Sequence, residues 1–429
     1  MYKINANICD ELNETTYYTK LENGLSVYIC KKPGFKKKIG MFGTKYGSVI
    51  NDFVDIKTGK RIKVPDGIAH FLEHKLFEKE GANALDLFSK IGVSSNAYTT
   101  FDHTVYYFET SEKFEESISL LVKLIKEPYF TDENVAKEQG IIGQEIMMGE
   151  DDPEYRVYFN AIKAMYQKNN VRIDIAGTID SIAKINKELL YTCYNTFYNL
   201  NNMFFVIIGD VDVEDTIKLI EKNVNSYDNL KVDKEVEIFF DDEPKEINTK
   251  EIKEEMDIFM PQIYIGYKLD VLKNEEIIKN AIVADIVSQM YFSKITGFFN
   301  DEYNKGVLIE APALVYEGSN SFSYILIAAQ TLKLEEYKKD IFDYIERIKK
   351  EEINEELFNT IKNKKIGSLV IEDDNLNNCY RRVIDSILTQ TDIYADVKIL
   401  NNLKVEDIKS FLDSMTNDNR IVSIINNKK

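Results

Sequence analysis

Two of the three histidines in this 429-residue chain lie four positions apart, in the sequence HFLEH at residues 70–74. On a helix, positions i and i+4 share a face, so His70 and His74 can present both imidazole rings to one metal ion. Glu73 lies between them and brings a carboxylate to the same place. The spacing therefore predicts a metal centre with an acidic group beside it.

A hydrolytic zinc centre needs a third protein ligand, because zinc in such sites takes three side chains and keeps its fourth position open. We expect this ligand to be a distant carboxylate. The stretch KEQGIIGQEI offers Glu138 and Glu145, which are seven residues apart and so share one face of a helix. We expect Glu145 to bind zinc and Glu138 to orient a histidine or Glu145 itself. Glu73 would then be the general base, which takes a proton from the water that attacks a peptide carbonyl.

The same residues have a plainer interpretation, in which two helix histidines and a solvated glutamate bind no metal. A structural zinc site is disfavoured because the four cysteines lie far apart, with no CxxC pair. His103, in TTFDHTVYY, is expected to be a strand-surface histidine rather than a fourth ligand. GIIGQE is not followed by the GKS or GKT of a phosphate loop, and no GxSxG elbow occurs.

The amino-acid composition and net charge of the chain indicate which classes of binding partner to expect. A formal net charge of −18 and a pI near 4.9 argue against a nucleic acid or an anionic membrane as the main partner. No apolar run is long enough to span a bilayer, and no secretory signal precedes the first strand. The four cysteines lie far apart in the sequence, which favours reduced thiols over a framework of disulfide bonds. We therefore expect a cytoplasmic protein without a membrane partner.

The pattern of elements predicts an α+β fold in two parts. Strand-like segments such as LSVYICK and MFFVIIG alternate with helical ones in both halves. GIAHFLEHKLF reads as a helix with Asp66 as its N-cap, and a second helix is expected from Asp132 with Thr131 as its cap. Residues 226–254 are strongly charged and weakly periodic, which is typical of an interdomain linker.

We therefore predict two similar domains, each a mainly antiparallel β-sheet packed with helices. The first is a metal-binding domain at 1–225, and the second, at 255–429, is a related domain without a metal motif.

The chain resembles the pitrilysin/insulinase family of metallopeptidases, which includes the mitochondrial processing peptidase. The resemblance runs nearly end to end, through LENGLSVYI, GIAHFLEHKLFE, SNAYTTFDHTVYYF, KEQGIIGQEI, VRIDIAGTIDSI and FYNLNNMFFVIIGDVD. HxxEH is the inverzincin signature, the reverse of the zincin HExxH. The stretches DGIAHFLEHKLFEK and IIGQEIMMGEDDPEYR are similar to a bacterial, cytosolic subgroup whose chains are about as long as this one.

This resemblance implies one zinc ion per chain, bound by the two motif histidines and a distal glutamate, with the motif glutamate as base. In this chain those positions are His70, His74, Glu145 and Glu73, and the family's accessory glutamate is Glu138. The segment between His74 and Glu145 is a little shorter than in better-known members. Glu150 therefore stays open as an alternative third ligand.

The resemblance also implies how a peptide substrate is held. An edge strand after the motif helix receives it by β-strand addition, main chain to main chain. The matching stretch is SNAYTTF, so Asn96, Ala97 and Tyr98 are candidate substrate contacts. An ordinary sheet strand is the plainer interpretation for most of its side chains.

One part of the family pattern is missing. Family members with complete substrate-binding halves carry an Arg and a Tyr in the second domain, where this chain has Glu302, Tyr303 and Asn304, and then Ile309. The family encloses its substrate in a clamshell of four domains, and this chain would form half of one. We expect a homodimer or a heterodimer with a paralogue, and favour the paralogue because it could supply the missing pair.

The leading hypothesis is a zinc-dependent endopeptidase that hydrolyses short or unfolded peptides in an enclosed chamber. One alternative is a zinc-bearing subunit that is inactive without its paralogous partner. Another is a non-catalytic scaffold subunit, which predicts loss of Glu73 or of a ligand. All four positions are intact, which disfavours the scaffold.

Overall fold

The structure is a computed structural model that describes residues 3–229, 231–232, 234–372 and 375–428. Its strands, numbered in chain order, are β1 (Asn5–Cys9), β2 (Glu14–Lys20), β3 (Ser26–Lys31), β4 (Lys38–Thr44), β5 (Asp52–Val54), β6 (Arg61–Lys63), β7 (Glu78–Lys79), β8 (Ala82–Asn83), β9 (Ser94–Thr99), β10 (Thr104–Thr110), β11 (Met203–Gly209), β12 (Glu251–Met256), β13 (Gln262–Lys268), β14 (Ala313–Gly318), β15 (Ser323–Gln330) and β16 (Arg420–Asn427).

The α-helices are α1 (Ile68–Phe77), α2 (Ala84–Lys90), α3 (Phe114–Lys126), α4 (Asp132–Asp151), α5 (Pro153–Met165), α6 (Ile179–Ile182), α7 (Lys187–Phe197), α8 (Val213–Asn225), α9 (Glu275–Val287), α10 (Gly297–Asn304), α11 (Leu334–Ile348), α12 (Glu355–Glu372), α13 (Leu376–Thr389), α14 (Ala395–Asn402) and α15 (Val405–Ser414). Among the described residues, no helix is both long and apolar enough to cross a membrane.

The chain forms two compact units, and each is interrupted in sequence. The first comprises Met1–Met147, Ile173–Phe240 and Glu372–Leu388, and the second comprises Met148–Arg172, Asp241–Ile371 and Thr389–Lys429. The predicted contiguous domains 1–225 and 255–429 therefore differ from the observed units. The residues of α5 belong to the second unit and most of α13 to the first, and β12 begins inside the predicted linker 226–254. The charged composition of residues 226–254 indicates where the chain passes from the first unit to the second, near residue 240. It does not indicate that each unit also includes a helical segment from the other half of the sequence.

Five strands in each of the two main sheets have the same topology. The first has the order β1-β2-β3-β11-β4-β10-β9, and the second has the order β12-β16-β13-β15-β14. The five strands β3-β11-β4-β10-β9 of the first sheet correspond to β12-β16-β13-β15-β14 of the second. In each set the first and last strands of the sequence pair in parallel, β3 with β11 and β12 with β16, and every other pairing is antiparallel. The prediction of two similar α+β domains with mainly antiparallel sheets is confirmed.

The centre of the first sheet explains why its strands are so apolar. β11, MFFVIIG, is buried at all seven positions because it lies between β3 and β4. A continuous apolar run of this kind is typical of a strand covered on both faces. Among the described residues, the sheet ends at β9, which pairs with β10 alone, and α1 packs against both strands. This places the motif helix next to an open sheet edge.

The start of α1 differs from the prediction. Its N-cap is Gly67 rather than Asp66, with a φ of +85° and no side-chain cap. A Cβ added at Gly67 would lie 2.3 Å from the carbonyl oxygen of Ala176, so both the backbone angle and the space require glycine. Asp66 instead accepts a hydrogen bond from the Asn51 side chain at 2.7 Å.

The start of α4 agrees with the prediction. Thr131 accepts a hydrogen bond from the backbone N–H of Asn134 at 3.1 Å, while the Asn134 side chain accepts from the Thr131 N–H at 2.9 Å. This reciprocal pair satisfies donors that the first turn leaves free. The helix that follows is 20 residues long, so Glu138 and Glu145 lie on one rigid element.

Candidate metal centre

Two helices of the first unit bring the predicted ligands together. The imidazole rings of His70 and His74, one turn apart on α1, have their centroids 4.5 Å apart. From α4, the carboxylate of Glu145 reaches both: its Oε1 lies 3.6 Å from Nε2 of His70, and its Oε2 lies 3.7 Å from Nε2 of His74. Within the described part of the chain, these three residues form the one group of its kind whose ligand atoms all lie within 4.8 Å of one another.

The separations fit a zinc ion. With bonds of about 2.0–2.1 Å, ligand atoms around a tetrahedral zinc lie about 3.3 Å from each other. The two distances from Glu145, 3.6 and 3.7 Å, are slightly longer, and all three donors lie close enough together to share one ion. Two imidazole nitrogens and one carboxylate, with a fourth position left open, are the donor set of a hydrolytic rather than a structural zinc site.

Glu150, the alternative ligand, is not part of this group. It follows Glu145 by five residues, which turns its side chain by about 140° around the helix axis. Glu138 precedes Glu145 by seven residues and therefore faces the same way. The geometry of α4 thus favours Glu145.

Glu138 orients one of the histidines. Its Oε1 lies 3.1 Å from Nδ1 of His74, and its Oε2 lies 3.4 Å from Nζ of Lys75. Burial opposes ionisation of Glu138, but the bond to His74 and the charge of Lys75 outweigh it and hold the pKa of Glu138 below its ordinary value. As an ionised acceptor, Glu138 favours the His74 tautomer that carries its proton on Nδ1, and this leaves Nε2 free for a metal.

The two histidines differ in protonation. Burial, helped by the charge of His74, lowers the pKa of His70 to about 3, so its ring is neutral and can donate to a metal. For His74, burial lowers the pKa, but the bond to Glu138 and the charges of Glu73, Glu138 and Glu145 together raise it above its ordinary value. Of the two histidine rings, that of His74 is therefore the one at which an entering metal competes with a proton.

Glu73 lies on the same helix face with little access to solvent, and is 7 % exposed. The hydroxyl of Thr99 on β9 donates to its Oε2 at 2.6 Å. Burial raises the pKa of Glu73; the bond from Thr99 and the charge of His74 oppose this, and the charge of Glu145 adds to it. A carboxylate with a raised pKa is a stronger proton acceptor, which suits a general base.

The predicted substrate contacts lie on the open edge of the sheet. The backbone N–H of Thr100 donates to the carbonyl of His103. Because backbone groups alternate along an antiparallel strand, those of Asn96 and Tyr98 also point towards β10, whereas the backbone N–H of Ala97 points away from the sheet. That outward N–H is bonded only locally, to Oδ1 of Asn96 at 2.9 Å. Asn96 is exposed, whereas the Tyr98 ring packs edge-on against His103. The strand can therefore accept another strand.

A cavity of about 600 Å³ opens beside these groups. Its wall includes Glu73, His74 and Asn96, together with the apolar side chains of Phe77 and Ile141. A peptide aligned with β9 would thus have space for a side chain next to the Glu73 carboxylate.

Two residues of the site were missed from sequence, and one was misplaced. No sequence motif singles out Thr99, which lies on a predicted strand, or Lys75, which stands among buried apolar positions of α1. His103 was expected at the strand surface. It is buried in the β9–β10 turn, where its Nδ1 lies 2.7 Å from Asp102 and 2.8 Å from the Thr100 hydroxyl. It is not a fourth ligand.

Comparison with known proteins identifies the family. Residues 47–179 match the insulinase family of peptidases, family M16, and residues 184–365 match the peptidase M16 inactive domain. The chain belongs to peptidase family M16. The uncharacterized zinc protease YmfH of Bacillus subtilis strain 168 is 34 % identical over 419 residues, which is 94 % of each chain.

Solved structures of M16 relatives have the same fold. A protein from Alicyclobacillus acidocaldarius described as M16-like peptidase matches with a TM-score of 0.91 and 29 % identity, over 100 % of this chain and 99 % of that chain. The periplasmic protease PqqL of Escherichia coli matches with a TM-score of 0.73 and 16 % identity, and the match covers 98 % of this chain but 48 % of PqqL. At that identity the likeness to PqqL concerns the fold alone.

The second unit, matched largely by the M16 inactive domain, contributes no ligand to the group of three. The resemblance leads us to expect an Arg and a Tyr in this unit, but the chain has Glu302, Tyr303, Asn304 and Ile309 there. Glu302 is buried and paired with Lys305 at 2.7 Å, while Tyr303 and Ile309 are exposed.

Proposed function

We propose that this chain is a zinc-dependent endopeptidase that binds one zinc ion through His70, His74 and Glu145. The observation that carries the proposal is the convergence of two Nε2 atoms and one carboxylate, within 4.8 Å, beside the buried carboxylate of Glu73. The names of its relatives as zinc proteases support the metal.

The chain's own residues divide the chemistry between them. A zinc ion in this site supplies Lewis acidity, which acidifies water and polarises a peptide carbonyl. Glu73 takes a proton from the attacking water and returns it to the amine nitrogen as the peptide bond breaks. Thr99 donates to Oε2 of Glu73, which leaves Oε1 as the oxygen to accept the proton of the water.

Extended peptides are the substrates that this geometry favours. The outward N–H of Ala97 offers a main-chain donor on β9, and strand addition requires a partner without secondary structure of its own. Short or unfolded peptides meet that condition, and folded proteins do not. We place the reaction in the cytoplasm, where the four buried cysteines, all free thiols, stay reduced.

We further propose that two such chains enclose the substrate, as a homodimer or, preferably, as a heterodimer with a paralogue. Two observations support this. The fold of this chain corresponds to about half of PqqL, and Glu302, Tyr303 and Asn304, followed by Ile309, stand where the family resemblance leads us to expect an Arg and a Tyr. This favours a second candidate function, a zinc-bearing subunit that is inactive without the partner. A non-catalytic scaffold has no such support, since all four site residues are present.

The test is cleavage of a quenched fluorogenic peptide library by the purified chain. We expect activity that is lost on chelation, restored by zinc, and lowered about 10²- to 10⁴-fold in Glu73→Gln, which loses the base but no ligand. Activity that appears only when a paralogue is added would establish the second candidate function. Cleavage that survives both chelation and Glu73→Gln would contradict the proposal.

A further inference from the structure

Lys75 follows His74 directly and is fully buried, with 0 % of its side chain exposed. Lysine is rarely buried, because its ammonium loses its hydration on entering the protein interior. Most of its neighbours on α1 are apolar and buried as well, including Leu72 and Leu76. A charged group in this position requires compensation from specific partners.

The ammonium of Lys75 has three donors and three partners. It donates to the Glu78 carboxylate just after α1, to the carbonyl oxygen of Asn134 at 3.1 Å, and to Oε2 of Glu138 at 3.4 Å. Two of these partners are on α4. Lys75 therefore connects the helix that carries both histidines to the helix that carries Glu145.

Glu138 is the link between Lys75 and the metal site. One of its oxygens accepts from His74 and the other from Lys75, so both ends of the carboxylate are held. A carboxylate fixed at one oxygen can rotate about its last bond, whereas one fixed at both cannot. The orientation of Glu138, and through it that of the His74 ring, depends on the lysine.

We infer that Lys75 is a positioning residue of the zinc centre: it holds Glu138 so that His74 presents Nε2 to the metal. The inference rests on the proposed zinc site, and it adds a layer behind the three ligands and Glu138. Partners of this kind typically change metal affinity by about 10- to 100-fold.

A purely structural role for Lys75 makes a different prediction. Lys126 provides the comparison, since it is similarly buried, at 2 % exposed, but donates to the carbonyl of Val224 and lies over the Tyr227 ring, away from the ligands. If burial of a lysine matters only for stability, removing either one should leave zinc affinity unchanged.

The test is a double-mutant cycle in zinc affinity, measured by competition with a chromophoric chelator. Lys75→Met should weaken zinc binding about tenfold, and Glu138→Gln about 10- to 100-fold. Because Lys75 acts through Glu138, the double variant should lose no more than Glu138→Gln alone. The visible absorption bands of Co²⁺ bound to Lys75→Met should also differ from those of wild type, since they report ligand geometry.

Lys126→Met is the matched control, and its zinc affinity and Co²⁺ bands should equal those of wild type. If Lys75→Met does not fold, Lys75→Gln replaces it, since the amide keeps a donor without the charge. Losses that multiply in the double variant, or wild-type affinity in both Lys75 variants, would overturn the inference while the proposed function stands. A wild-type chain that binds no zinc would overturn the proposed function, and the inference with it.

Discussion

The hydroxyl of Thr99 lies 2.6 Å from Oε2 of Glu73, which makes an edge-strand residue the partner of the proposed base. The neighbouring hydroxyl of Thr104 lies 3.3 Å from Thr99 but donates to the carbonyl of Tyr46 at 2.9 Å. The Thr99 proton is therefore directed at Glu73. The strand that would pair with substrate also fixes the carboxylate that would act on it.

Replacing Thr99 by valine should lower kcat/KM about 10- to 100-fold, the value of one hydrogen bond to a charged group. Zinc content should not change, because Thr99 touches no ligand. Since the Thr99 bond lowers the pKa of Glu73, its loss should raise that pKa and move the acid limb of the pH–rate profile to higher pH.

Thr110→Val is the control for this change. Thr110 is buried at the end of β10 and donates to the backbone carbonyl of Glu112, and it lies at the opposite end of that strand from Thr104, the partner of Thr99. It should keep wild-type activity. An unchanged acid limb in Thr99→Val would show that Thr99 does not act on the base.

Glu145→Gln should weaken zinc binding, while Glu150→Gln on the same helix should not. The first change removes the negative oxygen that lies 3.6–3.7 Å from both histidines, and the second changes a side chain turned about 140° away. Metal analysis after dialysis compares the two variants. Full zinc in Glu145→Gln together with loss in Glu150→Gln would reverse the ligand assignment.

Zinc affinity should fall as pH falls, with one histidine responsible. The pKa of His74 is raised, so in mildly acidic solution this ring carries a proton that zinc must displace. The pKa of His70 is about 3, so its ring is already neutral under the same conditions. Near pH 6, uptake of one zinc should release about one proton from the histidines. Calorimetry in buffers of different ionisation enthalpy measures the net number of protons released, and release of two would contradict the account in which His74 alone gives up a proton.

Ala97→Pro tests the edge strand. Proline removes the outward N–H of residue 97 but no bond to β10, and edge strands tolerate it there. The variant should fold and keep its zinc, and its KM for peptides should rise about tenfold, as for the loss of one hydrogen bond on binding. Asn96→Ala, which keeps the N–H, is the comparison. Equal effects of the two changes on KM would argue that peptides do not pair with the strand.

Local spacing predicted much of the site. The apolar residues Ile68, Leu72 and Leu76 recur at helical intervals, so α1 and the shared face of its histidines follow from the sequence. The seven-residue interval from Glu138 to Glu145 works in the same way on α4. The sheets were predictable in kind because their strands are β-branched and aromatic.

Long-range contacts explain what the sequence could not predict. That β9 is an edge strand was expected only from the family resemblance, because it depends on the strand order, which puts β11, more than 100 residues later, inside the sheet. The exchange of helical segments between the units is equally invisible to local patterns. Lys75 reads as a surface residue until Glu78, Asn134 and Glu138 are brought around it by folding.

The most direct measurement of the central claim is an anomalous difference map at the zinc edge, from crystals grown with zinc. It should show one strong peak per chain, about 2.0–2.2 Å from Nε2 of His70, Nε2 of His74 and a carboxylate oxygen of Glu145. No peak between these three side chains, or a peak whose third protein ligand is Glu150 or another residue, would contradict it.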